Sequence, residues 1–338
     1  MNQKRIGRQT VCLQHPPSIR AWASVVGKKE GAGPLAGCFD AVSTDSYFGQ
    51  NSWEKGESEM LKQAFCKACD KARVTTDELD YLLCGDLLNQ CTGSSFAMRD
   101  TGIPIFGLYG ACSTMAESLS LGAMLIDGGF AQRVCAATGS HFCSSERQFR
   151  LPLEYGGQRT PMAQWTVTGA GAVILQAEGN GPYLTHVTTG IIKDKGITDA
   201  ANMGAAMAPA AYETLSAHFR DTGRSPMYYD AIFTGDLGAI GHRAVLEQFA
   251  ADGIDLTARY FDCGLLIFDR AKQDVHAGGS GCGCAASVLC AHILPNLQTG
   301  RWKRVLFSAT GALLSATSPL QGLTIPGICH AVALETEM

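Results

Sequence analysis

Asp80-Tyr81-Leu82-Leu83-Cys84-Gly85-Asp86-Leu87 returns 150 residues later as Asp230-Ala231-Ile232-Phe233-Thr234-Gly235-Asp236-Leu237. Each copy reads as a short buried strand that ends on Gly-Asp-Leu. The same offset holds upstream. Met60, Leu61, Ala64, Phe65, Ala68 and Ala72 recur at helical spacing, and so do Ala211, Leu215 and Phe219 before the turn at 222–226. Downstream the offset grows to 171: Gly129, Arg133, Val134–Ala137 and Thr138-Gly139 match Gly300, Arg304, Val305–Ala309 and Thr310-Gly311. The helical stretches before these strands, Thr114–Asp127 and Ala285–Gln298, are rich in small residues, as helices pressed between sheets must be. The alternation of helix and strand in each half predicts an α/β chain of two duplicated βαβαβ halves, with parallel strands joined by helical crossovers. Residues 1–180 and 181–338 form these halves. The polar, aromatic and Gly-rich segment 139–169 interrupts the first, and its length marks a functional loop rather than a linker.

The bulk numbers suit this frame. The 338 residues are 46% hydrophobic and 17% charged, enough for two domains or two halves around one core. A formal net charge of −4 with no Lys/Arg run argues against a nucleic-acid partner. No apolar stretch approaches the length that crosses a bilayer, and the polar Met1–Thr10 lacks the apolar core of a secretory signal. The fourteen cysteines are scattered, several within apolar strand or helix patterns (Cys84, Cys135, Cys290), which fits reduced thiols in an intracellular protein. Cys66-x-x-Cys69 and Cys282-Gly283-Cys284 stand without the further ligands a closed zinc site needs, so no metal is expected.

One junction carries chemistry. Gly110-Ala111-Cys112-Ser113-Thr114 links the β-like run Ile103–Leu108 to the helical stretch Met115–Ile126. A cysteine opening a helix meets unpaired N–H groups and the positive dipole end, which favour thiolate. The same N–H groups suit a substrate oxyanion or a carboxylate. Gly110 is expected to supply the sharp turn before Cys112, and Ala111 the room for a ligand. A buried structural cysteine is the plainer alternative.

A duplicated βαβαβ chain with such a cysteine resembles the thiolase/ketoacyl-synthase superfamily, which implies a five-layered α/β/α/β/α sandwich. Thr166–Val173 and Gly278–Ser287 look like its two Gly-rich elements. Within it, the chain resembles the stage V sporulation protein AD family of endospore formers. The segments that carry this are Gly85–Gln90, Phe106–Thr114, Asp127–Phe130, Glu146–Arg150, Glu154–Gln158, Gly196–Asp199, Gly204–Ala211, His276–Ala285 and Ala309–Ser315. The resemblance implies binding of dipicolinic acid, work alongside membrane proteins of the same spore operon, and a place at the inner membrane of the forespore. Relatives of this fold also commonly pair as homodimers across the sheet edge. No cofactor is implied.

The resemblance also sets expectations for the site. Condensing enzymes pair the cysteine with a His and an Asn, or two His, from the second half. Here Asp236 stands where the first His belongs, and Ser280-Gly281-Cys282 where the Asn belongs, with His242 and His276 out of step. A condensing reaction or acyl transfer through Cys112 is therefore the alternative to non-catalytic binding. A dicarboxylate would set one carboxylate at the N–H groups of Cys112 and Ser113. By analogy with the family, Arg147 and Arg150 would hold the second, with His141 nearby and Phe149 or Tyr155 over the pyridine ring. A solvated face or a salt bridge to Glu146 or Glu154 is the plain reading of the arginines. Asp86 and Asp236 either complete the oxygen shell of a calcium–dipicolinate complex or cap the helices that follow them. Asn89, Ser140 and Ser280 complete the polar candidates.

Overall fold

The computed structural model of the chain describes residues 4–149 and 159–337. In the first half, β1 (Thr10–Cys12), β2 (Ser18–Val26) and β3 (Ala41–Val42) precede the long helix α1 (Trp53–Ala72). Then come β4 (Tyr81–Gly85), α2 (Thr92–Met98), β5 (Ile105–Gly107), α3 (Thr114–Asp127), β6 (Arg133–Ser140), α4 (Phe142–Phe149), β7 (Trp165–Thr166) and β8 (Gly169–Gln176). The second half runs β9 (Tyr183–Thr188), α5 (Met203–Thr222), β10 (Ala231–Thr234), α6 (Gly238–Ala251), β11 (Tyr260–Asp262), α7 (Cys263–Leu266) and β12 (Gly279–Ser280). It ends with α8 (Cys282–Val288), continued through a π turn into α9 (Leu294–Gln298), then β13 (Arg304–Ala312) and β14 (Gly327–Glu335).

The strands form two five-stranded arrays of identical plan. One has the order β2-β8-β6-β4-β5 and the other β9-β14-β13-β10-β11, and they join at the Ser18–Tyr183 pair. Helices α3 and α8 lie between the arrays, and their side chains share one core with both sheets: Met115 and Leu119 meet Val173 and Leu175 on one side and Phe307 and Val332 on the other. Each such fully buried side chain contributes about 1.5–3 kcal/mol. Helix α1 covers the outer face of the first array and α5 that of the second, each over its own core. This is the α/β/α/β/α sandwich.

The strands are not all parallel, as expected above. In the first array β4 runs parallel to β5 and β6, but β8 runs antiparallel to both β6 and β2. The second array repeats this, with β10 parallel to β11 and β13 while β14 is antiparallel to β13 and β9. The last strand of each half returns beside its predecessor, and an antiparallel return needs no helical crossover.

The two sequence offsets have a physical counterpart. Asp80 Oδ2 accepts the backbone N–H groups of Gln132 (2.6 Å) and Arg133 (2.9 Å), tying the start of β4 to the start of β6. Asp230 Oδ2 accepts those of Lys303 (2.7 Å) and Arg304 (2.9 Å) between β10 and β13. Gly283 shows why the motif before α8 is rich in glycine: a Cβ there would lie 2.1 Å from the Gly169 carbonyl oxygen of β8. All fourteen cysteines are free thiols.

Candidate functional site

After β5 the chain enters a tight 3₁₀ turn, Ala111–Ser113, which leads directly into α3. The expected division of work between Gly110 and Ala111 is reversed. Gly110 has an ordinary φ of −107°, while Ala111 takes the left-handed conformation at φ 51°. That placement costs a residue with a Cβ some strain, typical of a functional turn. A Cβ on Gly110 would meet two side-chain ends, Glu117 Oε2 at 2.5 Å and Ser113 Oγ at 2.6 Å, so these would have to move aside, Ser113 away from its bond to the Gly110 carbonyl. The helix end is also less open than expected. The Ser113 N–H donates to the Gly110 carbonyl at 3.0 Å, and the Ser113 hydroxyl donates to the same oxygen at 2.6 Å.

Cys112 is buried beneath this turn. The second half presents Asp236 to it from the end of β10. One carboxylate oxygen of Asp236 accepts the Gly281 N–H (2.8 Å) and the Ser280 hydroxyl (3.1 Å), and the other accepts the Thr310 hydroxyl (2.8 Å). The Cys112 sulfur lies 4.0 Å from Ser280 Oγ, the hydroxyl that bonds Asp236, so the thiol sits within the field of that carboxylate. Burial, reinforced by the negative charge of Asp236, pushes the Cys112 thiol well above the ordinary range. Cys112 is thus a neutral thiol, the opposite of the thiolate its helix-end position predicts, because desolvation and a neighbouring carboxylate outweigh the dipole. Burial raises the Asp236 carboxyl as well, against its donors.

The side chains beside Cys112, which we take as the wall of a binding chamber, are apolar. Leu87, Cys112 and Cys282 cluster with Phe149 packed against them. Tyr109 borders it: burial first, then the nearby Cys112 and Cys282 thiols, pushes its hydroxyl up to about 12. Residue Gln148, which the sequence did not single out, fastens this wall. Its amide nitrogen donates to the Leu87 carbonyl and its amide oxygen accepts the Asn89 N–H, both at 2.9 Å. Helix α4 is also held to α1, by the Ser144 hydroxyl on buried Glu57 and by Arg147 on Glu54 at 3.1 Å.

The other candidates fall outside the chamber or serve the frame. Asp86 is a cap: Oδ1 accepts the Leu88 N–H at 2.8 Å, and Oδ2 accepts the N–H (2.6 Å) and hydroxyl (2.7 Å) of Ser94 in α2. Asp236 does not cap α6; Asp262 does, accepting the Leu237 and Gly238 N–H groups at 2.8 and 3.0 Å. With three or more donors on each, neither Asp86 nor Asp236 offers an open oxygen pair to calcium, and no group of three metal-ligating side chains occurs among the described residues. His141 is buried and kept neutral, with Nδ1 accepting the Cys143 N–H and Nε2 against the Ser46 carbonyl. Arg147 lies over the Trp53 ring, 4.7 Å from its centroid, in addition to its Glu54 partner, so the salt bridge forms with a residue far away in sequence. Asn89 is exposed on the Gln148-braced turn. Ser140 accepts the Gly283 N–H (3.1 Å) and donates to the Val167 carbonyl (2.8 Å). His242 stacks on Tyr260, and His276 bonds the Thr160 carbonyl. Arg150, Glu154 and Tyr155 lie outside the described residues.

Chemically, the charged group that the second half brings to Cys112 is an acceptor, Asp236. An aspartate accepts hydrogen bonds and carries the wrong charge to stabilise a developing oxyanion. Comparison with known proteins agrees on fold and family. The family model "Stage V sporulation protein AD (SpoVAD)" matches residues 7–335. Stage V sporulation protein AD of Bacillus subtilis (strain 168) is 43% identical over 332 residues, 98% of each chain. Among solved structures, cerulenin-bound OleA from Xanthomonas campestris superposes with a TM-score of 0.62 at 15% identity, covering 96% of this chain and 98% of that one. The 3-oxoacyl-[acyl-carrier-protein] synthase III of Aquifex aeolicus VF5 gives a TM-score of 0.55 at 14% identity, covering 94% and 99%. At these identities the solved structures establish the thiolase-like fold.

Proposed function

The chain belongs to the stage V sporulation protein AD family, a family of sporulation proteins, and from that premise we propose that it binds dipicolinic acid without chemical turnover. The observation that carries the reading is the Asp236 carboxylate beside the Cys112 thiol. Burial keeps the sulfur protonated, the Asp236 charge adds to it, and the carboxylate is an acceptor where acyl transfer needs a donor. A pocket that never turns over can keep such a pair; a condensing enzyme cannot.

In this reading the pyridine ring lies on the Leu87–Phe149–Cys282 wall with Tyr109 beside it. The two carboxylates point away from Asp236, because a dianion beside a buried carboxylate is repelled. Asn89, His141 and Ser280 act through the shape of the wall and the Asp236 network. The protein loads dipicolinic acid into the forespore with membrane proteins of the same spore operon, docked at the inner membrane through them. That role is compatible with the finding that no described helix is long and apolar enough to cross a membrane.

Titration calorimetry with dipicolinate, with and without calcium, tests this beside mass analysis of Cys112 after incubation with acyl-thioesters. Saturable binding and an unmodified Cys112 are expected. Calcium dependence would restore the metal-complex form of the reading, and a stable acyl-Cys112 would replace binding by acyl transfer.

A further inference from the structure

Between α1 and α2, outside the Cys112 chamber, lies a groove of about 570 Å³, the size of a small-molecule site. Its existence is not a by-product of the fold, because the duplicated half closes the same place. There α5 and α6 touch backbone to backbone: a Cβ on Gly204 would lie 2.4 Å from the Leu237 carbonyl and 3.0 Å from the Gly241 nitrogen. The residue of α1 equivalent to Gly204, at the offset of 150, is Glu54, and its side chain lines the open groove. A glycine contact in one half is a side-chain wedge in the other.

The charges in the groove are unevenly satisfied. Glu54 is neutralised from outside by Arg147, and Asp100 pairs with Arg99. Lys55 Nζ meets only the neutral Asn51 amide oxygen, and Lys62 has no ion pair among the described residues. The two lysines stand two turns apart on one face of α1, roughly 10 Å along the axis, close enough for their flexible arms to converge on one small molecule. Glu59 sits between them, its carboxylate held by the Gln63 amide at 3.0 Å, and presents an acceptor at the centre. Thus an ammonium, a carboxylate and an ammonium follow one another along the groove.

We propose that this groove is a second ligand site, taking a small dicarboxylate with a hydroxyl or amine donor between its acid groups. Each carboxylate meets one lysine, and the central donor satisfies Glu59. Leu88 lines the groove while its neighbour Leu87 lines the Cys112 chamber, so the two sites share the Asp86-capped turn as a common wall.

Titration of the full chain with L-malate and with succinate, which lacks the central donor, tests the site. Malate is expected to bind saturably and succinate at least about tenfold more weakly. The double substitution Lys55→Ala with Lys62→Ala, both on the exposed face, should weaken malate at least about tenfold while leaving the melting temperature unchanged. Lys272→Ala, on a remote loop, should have no effect. No saturable malate binding, equal affinity for succinate, or equal loss on Lys272→Ala would overturn the proposal. Its fate is independent of whether dipicolinate binds the central chamber.

Discussion

Asp236 and Cys112 come from opposite halves of the chain and converge on one hydroxyl: Ser280 Oγ donates to the Asp236 carboxylate at 3.1 Å and lies 4.0 Å from the Cys112 sulfur, while Gly281 and Thr310 donate to the rest of the carboxylate. Burial first, and then the Asp236 charge, raise the thiol. Asp236→Asn removes the neighbouring charge, so the thiol becomes more acidic. Iodoacetamide labelling of Cys112 near pH 8 should accelerate by about tenfold for each pKa unit recovered. Peptide mass spectrometry reads this directly, because no other cysteine lies between Arg99 and Arg133. An unchanged rate would show that burial alone silences Cys112.

Asp86→Ala leaves the buried Leu88 and Ser94 N–H groups without an acceptor, the Ser94 hydroxyl retaining the Cys91 carbonyl, and should cost about 3 kcal/mol in urea unfolding. Asp262→Ala should cost a similar amount, through the Leu237 and Gly238 N–H groups and the Thr234 hydroxyl at 2.8 Å. If Asp86→Ala abolished dipicolinate binding at full stability, Asp86 would be a ligand residue after all.

The frame was legible in the sequence because two constant offsets reflect two backbone ties, at Asp80 and Asp230, that any working copy must keep. Asp236 could be placed opposite Cys112 through the resemblance to condensing enzymes, whose catalytic His it replaces at the end of β10. What stayed hidden were contacts between side chains far apart in the sequence. Gln148 gives no periodic signal, and only the fold shows that it grips Leu87 and Asn89. Arg147 could not be assigned to Glu54 from spacing, since 93 residues separate them. The thiolate expectation failed because a helix end is read from local sequence, whereas burial and the Asp236 charge arrive from elsewhere in the chain.

Glu30 predicts a pH effect. It is buried, with Oε1 accepting the Thr168 N–H at 2.9 Å and Oε2 unpartnered among the described residues, and burial pushes its carboxyl from 4.5 to about 7. The folded state therefore holds this proton more tightly than the unfolded one. The contribution to stability is complete below the unfolded pKa and is lost as pH rises through about 7. Asp262, also raised to about 7, adds in the same direction. Chemical denaturation from pH 4 to 8 should show Glu30→Gln losing less stability than the parent, by up to about 3 kcal/mol. Parallel curves would mean that Glu30 does not titrate in this window.

Gln148→Ala removes both bonds that hold the chamber wall, each worth about 1 kcal/mol. Amide hydrogen exchange in 87–91 and 142–149 should rise with little change in global stability. If exchange is unaltered, packing of Phe149 rather than the amide holds the wall.

Strand β5 ends the first array with Ile105 and Phe106 exposed at 45% and 46%, an apolar edge of the kind that pairs with a second copy. The homodimer proposed from the resemblance should sediment as a dimer and shift to monomer on Phe106→Lys. A monomeric parent would exclude this edge as a self-association surface.

The duplicated Gly-Asp-Leu turn shows how one motif came to hold two occupations. In the first half a single aspartate, Asp86, still performs the structural task of closing the turn and starting α2. In the second, Asp262 has taken over the helix start, and Asp236 is released from that duty. Its carboxylate instead gathers donors from three other residues of the second half, Ser280, Gly281 and Thr310. The same turn thus closes its own helix in one half, while in the other it fastens the end of β10 to the Gly-rich junction before α8 and to β13.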